Sequence, residues 1–491
     1  MAVTDPSLKR EHSRRVIRKL GIGCALIAAL AANPGGAAED PALAARIDAA
    51  LLRLGPSTIH GVRVLASSSG EVLYERNPDL SLNPASNMKL LTSSAALAKL
   101  GPDYRYTTSV RSGREPDRKG KVRGDLFLVG GGDPVLELKD LEALADAVRA
   151  AGVRVVTGDL VTDDTRYDSV RLGTGWEWDD EPYYYAAQIS ALSIDRGCLR
   201  VFVEPTSSGQ PPRVRVEPTS AGITVRNTAL TGAAGSLPEL SVLRARGRNE
   251  IVVSGTIPSD AAPSRVVQTV EEPAIYAGEV FRSLLKARGV ELRGSVIPGK
   301  ASESTHPVAA RQSPPLSEIA ALFNKPSDNL IGEMLLKELG VASESVGSSA
   351  AGGRALLKWL GESGLPTRGV RVTDGSGLSR HDYVTPRLIS ELLRANLKQP
   401  WNAPFVNSLP IAAVDGTLRL RMAGTRAASN VRAKTGTLAN VSALGGYVTN
   451  QSGERLVFSI LINHHIGAVS AKRVEDQIAA ALAESGAAAG R

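Results

Sequence analysis

The chain has 491 residues, of which 43% are hydrophobic and 22% charged. That composition fits a folded globular protein and excludes long disorder, and the length allows roughly two to four domains. The formal net charge is +8, but six basic and only two acidic residues precede Glu39. Half of the excess therefore belongs to the N-terminus, and the remaining +4 is weak for a nucleic-acid partner, which calls for a clustered basic face.

Residues 1–38 read as an export signal. A basic stretch is followed by an apolar run from Leu20 to Ala32 and then by small residues at Gly35 to Ala38. This is the order of a secretory signal, which predicts a mature protein in the periplasm or cell envelope. The apolar run is too short for a stable membrane span. Ser13-Arg14-Arg15-Val16-Ile17 resembles a twin-arginine signal, while Arg18 and Lys19 equally suit general secretion. Of the two cysteines, Cys24 falls inside the signal. Cys198 is then left as a buried structural thiol in a strand, and the mature chain has no internal disulfide.

From Glu39 to Pro102 the pattern predicts a helix, two strands and a second helix. The first helix runs from Pro41 to Leu54, with Leu43, Ile47, Leu51 and Leu54 on one stripe. The strands are Gly61 to Ser67 and Glu71 to Glu75, around the turn Ser67 to Gly70. The loop Asn83-Pro84-Ala85 then leads into a helix from Ser86 to about Leu100. Residues 103–312 change character, with many short strands: Lys121 to Gly130, Gly152 to Thr162, Leu199 to Pro205, Arg213 to Glu217 and Ile251 to Ile257. Helices at Leu138 to Ala151 and Ile275 to Gly289 interrupt them. This reads as a β-rich insertion. Residues 313–491 return to helices up to about Asn396. Three strands follow (Asn430 to Lys434, Val441 to Val448, Leu456 to Ile462), and then a helix from Val469 to Ala483. The two early and three late strands are expected to form one antiparallel sheet, with the first and last helices on one face. The class is α+β.

Three strings carry chemistry: Ser86-Asn87-Met88-Lys89, Ser327-Asp328-Asn329 and Lys434-Thr435-Gly436-Thr437. They read S-x-x-K, S-x-N and K-T-G, the parts of a serine acyl-transfer site that uses lysine as the base. Residues three apart share a helix face, so Ser86 presents its hydroxyl to Lys89. A serine attacks only when a neighbour takes its proton, and a lysine does this once its pKa is lowered by desolvation or a second cation. Lys434 is the expected second cation. Ser327 and Asn329 are expected to pass protons and to hold Lys89. Lys434, Thr435 and Thr437 suit a carboxylate, Gly436 a close approach of substrate, and the amides of Ser86 and Thr437 an oxyanion hole.

Single matches are weak. Ser283-Leu284-Leu285-Lys286 and Ser81-Leu82-Asn83 are decoys, and Ser86 or Ser327 alone reads as a plain helix N-cap. Rival chemistries are absent from the sequence: there is no G-x-S-x-G elbow, H-E-x-x-H or phosphate loop, and His464-His465 has no further ligand pattern. No metal or cofactor is expected.

The chain resembles the low-molecular-mass class C penicillin-binding proteins, of D-alanyl-D-alanine carboxypeptidase/endopeptidase type. The resemblance rests on Pro84 to Leu90, Asn324 to Asn329, Asp374 to Arg380, Ala413 to Leu418 and Val431 to Leu438, and it extends over the mature chain. It implies the serine β-lactamase/penicillin-binding-protein fold, an antiparallel sheet flanked by helices plus a helical subdomain, with the large insertion typical of that group. It also implies peptidoglycan stem peptides as substrates and acylation of Ser86 by β-lactam antibiotics. Arg380 and an acid within Trp176 to Asp180, assigned to Asp180 with Asp179 equally available, would receive the charged end of a diaminopimelate side chain. Carboxypeptidase and endopeptidase action share the acylation and differ in the leaving amine. The competing readings are a β-lactamase, which lacks its E-x-x-L-N string here, and a catalytically silent wall-binding protein.

Overall fold

The computed structural model describes residues 41–220 and 222–486, and the export signal expected at residues 1–38 lies outside them. Five strands form one antiparallel sheet: Ile59–Ala66 (β1), Val72–Arg76 (β2), Arg432–Leu438 (β3), Val441–Thr449 (β4) and Arg455–Asn463 (β5). Their order is β3-β4-β5-β1-β2. The two ends of the chain thus meet in one sheet, as the strand pattern predicts.

The near-continuous apolar run of β5 has a simple cause: both faces of the sheet are covered. Leu456, Phe458, Ile460 and Ile462 join a core built with Pro41–Leu52 (α1) and Ala471–Glu484 (α7). Val457 and Leu461 point the other way, into a core shared with Met88–Lys99 (α2) and Pro386–Asn396 (α6). This is the period-2 alternation of a strand, read out on two apolar layers. Leu316–Asn324 (α3), Asn329–Glu344 (α4) and Ser349–Glu362 (α5) pack beyond α2 and complete the helical half. The first and last helices do share one face. The strand expected to stop at Lys434 continues to Leu438, so the K-T-G string lies within the edge strand rather than at its end.

The segment between α2 and α3 builds its own sheets, and among the described residues none of its strands joins β1 to β5. Its largest sheet orders Val296–Pro298, Leu160–Asp163, Leu126–Val129, Thr107–Ser112 and His306–Gln312. The first three of these are parallel, and the helices Leu138–Ala150 and Pro273–Ala287 lie between them in sequence as crossovers. The sequence pattern predicts β-richness here but not the parallel pairing. Long expected strands are also divided: Lys121–Val122 and Leu126–Val129 separate at Gly124 (φ 122°), and Glu250–Ser254 and Thr256–Pro258 separate at Gly255 (φ 90°). Each glycine adopts a backbone geometry that breaks a single ladder.

Buried polar contacts fasten this segment to α4. Glu338, 1% exposed, receives Arg166 through Nε (2.9 Å) and Nη2 (2.5 Å), the Tyr104 hydroxyl (2.7 Å) and the Tyr167 hydroxyl (3.1 Å). Lys337, fully buried, donates to Asp168 Oδ1 at 2.6 Å and to the Val170 carbonyl at 2.8 Å. Removing one partner from such a cluster strands the others without acceptors. Glu338→Ala is therefore expected to cost about 1–3 kcal/mol of stability, read as a lowered midpoint in thermal unfolding. An unchanged midpoint would show that the contacts to α4 are dispensable.

Candidate active site

Ser86 occupies a single 3₁₀ turn, Ala85–Asn87, and the regular helix α2 begins only at Met88. No side chain caps either element, so Ser86 is not the plain N-cap serine that its sequence position allows. Ala85 is held at φ 44°, a left-handed conformation that costs on the order of 1–3 kcal/mol in a residue other than glycine. Asn83 Oδ1 accepts from the Ala85 N–H at 2.9 Å. The Asn83 backbone in turn exchanges hydrogen bonds with the Asn463 amide on β5, at 2.8 and 3.0 Å. The decoy string Ser81 to Asn83 is thus part of the turn's support. Gly377 (φ 81°) closes over the turn so tightly that a Cβ there would lie 1.8 Å from the Ala85 carbonyl oxygen.

Lys89 is 0% exposed. Its Nζ lies 2.9 Å from Ser86 Oγ, 2.6 Å from Asn329 Oδ1 and 2.7 Å from the Ser376 carbonyl oxygen. The Asn329 amide is oriented by its own nitrogen, which donates to the Tyr185 carbonyl at 2.8 Å. Two of the three partners of Lys89 are therefore acceptors only. A neutral amine satisfies them with its two N–H groups and turns its lone pair to the Ser86 hydroxyl. Burial brings the Lys89 pKa down from 10.5 to about 8, against the opposing pull of Asp374, Glu333, Asp328 and Asp382. Desolvation thus does what the sequence reading shared between burial and Lys434. The cation–cation effect acts chiefly on Lys434, which burial and then Lys89 hold well below its ordinary range.

Ser327 precedes α4 and adopts φ 67°. The cap of α4 is Asp328, whose side chain accepts from the Ile331 N–H at 3.1 Å. Relieved of capping, the Ser327 hydroxyl accepts from Lys434 Nζ at 2.9 Å, and Lys434 also donates to the Thr435 carbonyl at 2.9 Å. The flanking strings fasten to each other: Lys325 Nζ meets Asp415 Oδ2 at 2.6 Å, and the Thr417 N–H donates to the Lys325 carbonyl at 3.1 Å. Thr417 Oγ1 then accepts from Thr435 Oγ1 at 2.7 Å.

These groups border a cleft of about 900 Å³ that Ser86, Ser327, Asn329, Thr435 and Thr437 share with Tyr185, Leu199 and Val267 of the inserted segment. Gly436 is absent from its wall. A Cβ there would meet the Pro84 carbonyl at 2.7 Å and Ala85 Cβ at 3.1 Å, so this glycine makes room for the Ser86 turn. Arg380 and Asp180 both line the cleft, but they are not paired with each other. Arg380 Nε meets Glu177 Oε1 at 3.2 Å and its Nη1 donates to the Ala439 carbonyl at 2.9 Å, while Asp180 accepts from the Tyr185 hydroxyl at 2.8 Å. Asp179 lies with Glu177 and Asp180 in one cluster of carboxylates. Cys198 also borders the cleft, and burial pushes its thiol up to about 12. The other decoy, Ser283, spends its hydroxyl on the Glu279 carbonyl of its own helix at 3.0 Å.

The contacts that sequence reasoning missed are mostly backbone groups. The Ser376 and Tyr185 carbonyls carry no side-chain signature. The string Asp374 to Arg380 stood out as a motif, but its function in presenting a carbonyl to Lys89 did not.

Comparison with known proteins agrees with this geometry. The D-Ala-D-Ala carboxypeptidase 3 (S13) family model matches residues 43–485. The chain is 42% identical over 460 residues to the D-alanyl-D-alanine carboxypeptidase of Actinomadura sp. (strain R39), covering 91% of this chain and 83% of that one. It is 27% identical over 402 residues to the D-alanyl-D-alanine carboxypeptidase DacB of Haemophilus influenzae, covering 81% and 83%. The crystal structure of penicillin binding protein 4 (dacB) from Haemophilus influenzae superposes with a TM-score of 0.79 at 25% identity, over 88% of this chain and 97% of that one. That protein has also been solved in complex with a β-lactam, with a TM-score of 0.74 at 24% identity and the same coverage. The chain belongs to the D-Ala-D-Ala carboxypeptidase 3 (S13) family and is a serine peptidase of the low-molecular-mass class C penicillin-binding proteins.

Proposed function

We propose that the chain is an exported carboxypeptidase of the cell envelope that removes the terminal D-alanine of peptidoglycan stem peptides through an acyl-enzyme on Ser86. One observation carries this reading: a fully buried lysine, supplied with two acceptor-only oxygens, sits 2.9 Å from a serine hydroxyl at the edge of a cleft. The export signal pattern of residues 1–38 supports the location.

In this reading Ser86 Oγ attacks the carbonyl carbon of the penultimate D-alanine while its proton passes to the Lys89 lone pair. The amides of Ser86 and Thr437 receive the developing oxyanion, and loss of one such donor typically costs on the order of 100- to 1000-fold. Ser327, touching Lys434, hands its hydroxyl proton to the departing D-alanine amine and is reprotonated by the proton that Lys89 took from Ser86, and Asn329 keeps Lys89 in register. The substrate's terminal carboxylate lies against Lys434, Thr435 and Thr437. Arg380 and Asp180, at the cleft wall, bind the charged end of the donor side chain. Water then hydrolyses the ester by the same relay in reverse. The β-lactam held by the Haemophilus protein supports a parallel attack on the lactam carbonyl, which leaves a stable penicilloyl adduct.

Two outcomes are expected. Exposure to penicillin adds one penicilloyl mass to the wild type, at the Ser86 peptide, and none to Ser86→Ala, which also releases no free D-alanine from muropeptides. An adduct on another serine would overturn the assignment, and rapid loss of the adduct would favour a β-lactamase. The acylation rate is also expected to rise with pH through about 8, because Lys89 loses its proton there. A rate that stays flat across that range would exclude Lys89 as the base.

A further inference from the structure

Three carboxyl groups lie fully buried around the Lys89 ammonium position, and no step above uses them: Glu333, Asp374 and Asp382. Glu333 stands one turn along α4 from Asn329. Its Oε1 accepts from the N–H groups of Gly375 (3.1 Å) and Ser376 (2.9 Å), and its Oε2 takes a second contact from Gly375 at 3.2 Å. The carbonyl on the far side of that Ser376 residue is the one that accepts from Lys89 at 2.7 Å. Asp374 supports the same loop from within, accepting from the N–H groups of Ser376, Gly377 and Ser379 and from Trp176 Nε1. Asp382 Oδ1 accepts from the N–H groups of Thr373 and Asp374. Glu333 therefore meets the amine by two routes: through the peptide it grips, and through its charge.

We propose that Glu333 is a positioning residue for Lys89, one that sets the 375–376 turn so that the Ser376 carbonyl meets the amine, and that its carboxylate charge opposes loss of the Lys89 proton. The inference rests on the reading of Lys89 as the base. The ionisable groups facing this pair are Asp374 and Asp382 from the loop, Asp328 from the start of α4 and Lys434 from β3. The buried faces of α3 and α5, packed against α2 and α4, contribute none. Burial, with the Asp374 charge beside it, pushes the Glu333 carboxyl up to about 8, into the range where Lys89 gives up its proton. Two such groups titrate as a pair. An ionised Glu333 favours the ammonium, so it raises the pH at which Lys89 gives up its proton.

Glu333→Gln tests this, because its amide oxygen can keep the Oε1 contacts while the charge is removed. The measurement is the rate of penicillin acylation against pH. The acid limb is expected to move to lower pH by half a unit or more, giving acylation about threefold faster than wild type below the midpoint. Glu333→Asp, which keeps the charge but withdraws the oxygens from Ser376, is expected to leave the limb in place and lower the plateau about tenfold or more. If neither variant folds, the wild type decides: the Lys89 ¹⁵Nζ shift is expected to titrate in two inflections. A Glu333→Gln limb unmoved or shifted upward, or a single Nζ inflection, with penicillin still adding at Ser86, overturns the inference alone. Absence of that adduct in the wild type overturns the underlying reading.

Discussion

The site depends on one buried amine. Placing Lys89 out of contact with water makes its charged form costly, and the surroundings then decide what a neutral amine can do. Asn329 Oδ1 and the Ser376 carbonyl take its two hydrogens. The remaining direction faces Ser86. Desolvation rather than intrinsic basicity is what lowers the Lys89 pKa to about 8.

The rest of the molecule serves to hold those partners still. The Asn83–Asn463 exchange anchors the Ser86 turn to β5. Asp328 caps α4, which frees Ser327 for Lys434 and sets Asn329 at the first position of the helix. The inserted segment reaches in through the Tyr185 carbonyl, which orients the Asn329 amide, and through Trp176, which donates to Asp374. It therefore holds Asn329 and Asp374 as well as walling the cleft. The left-handed conformations of Ala85 and Ser327, the residue before Ser86 and the serine that meets Lys434, fall where local strain is exchanged for orientation.

Much of this was legible in the sequence. The stripe Leu43, Ile47, Leu51 and Leu54 and the apolar run of β5 follow simple periodicities, and each is buried as its period requires. The three strings marked the polar groups that now meet at the cleft, because each pairs a reactive side chain with a turn or helix start. What could not be read is equally physical. A carbonyl such as that of Ser376 has no residue-type signature. The parallel crossovers of the insertion need pairing between strands more than 100 residues apart, Leu160–Asp163 with Val296–Pro298, which local patterns do not encode. The close packing of Pro84 and Ala85 against Gly436, distant in sequence, was likewise not visible in the local pattern. Arg380 pairs with Glu177, a contact that the sequence Trp176 to Asp180, with three acids close together, gives no local reason to single out.

The central claim is that Lys89 stands beside Ser86 as a neutral amine oriented by two acceptors. Neutron diffraction from crystals held above pH 8 would locate the hydrogens directly. The account predicts two deuterons on Lys89 Nζ, directed at Asn329 Oδ1 and the Ser376 carbonyl, and one on Ser86 Oγ directed at Nζ. Three deuterons on Nζ, one of them pointing at Ser86, would contradict it.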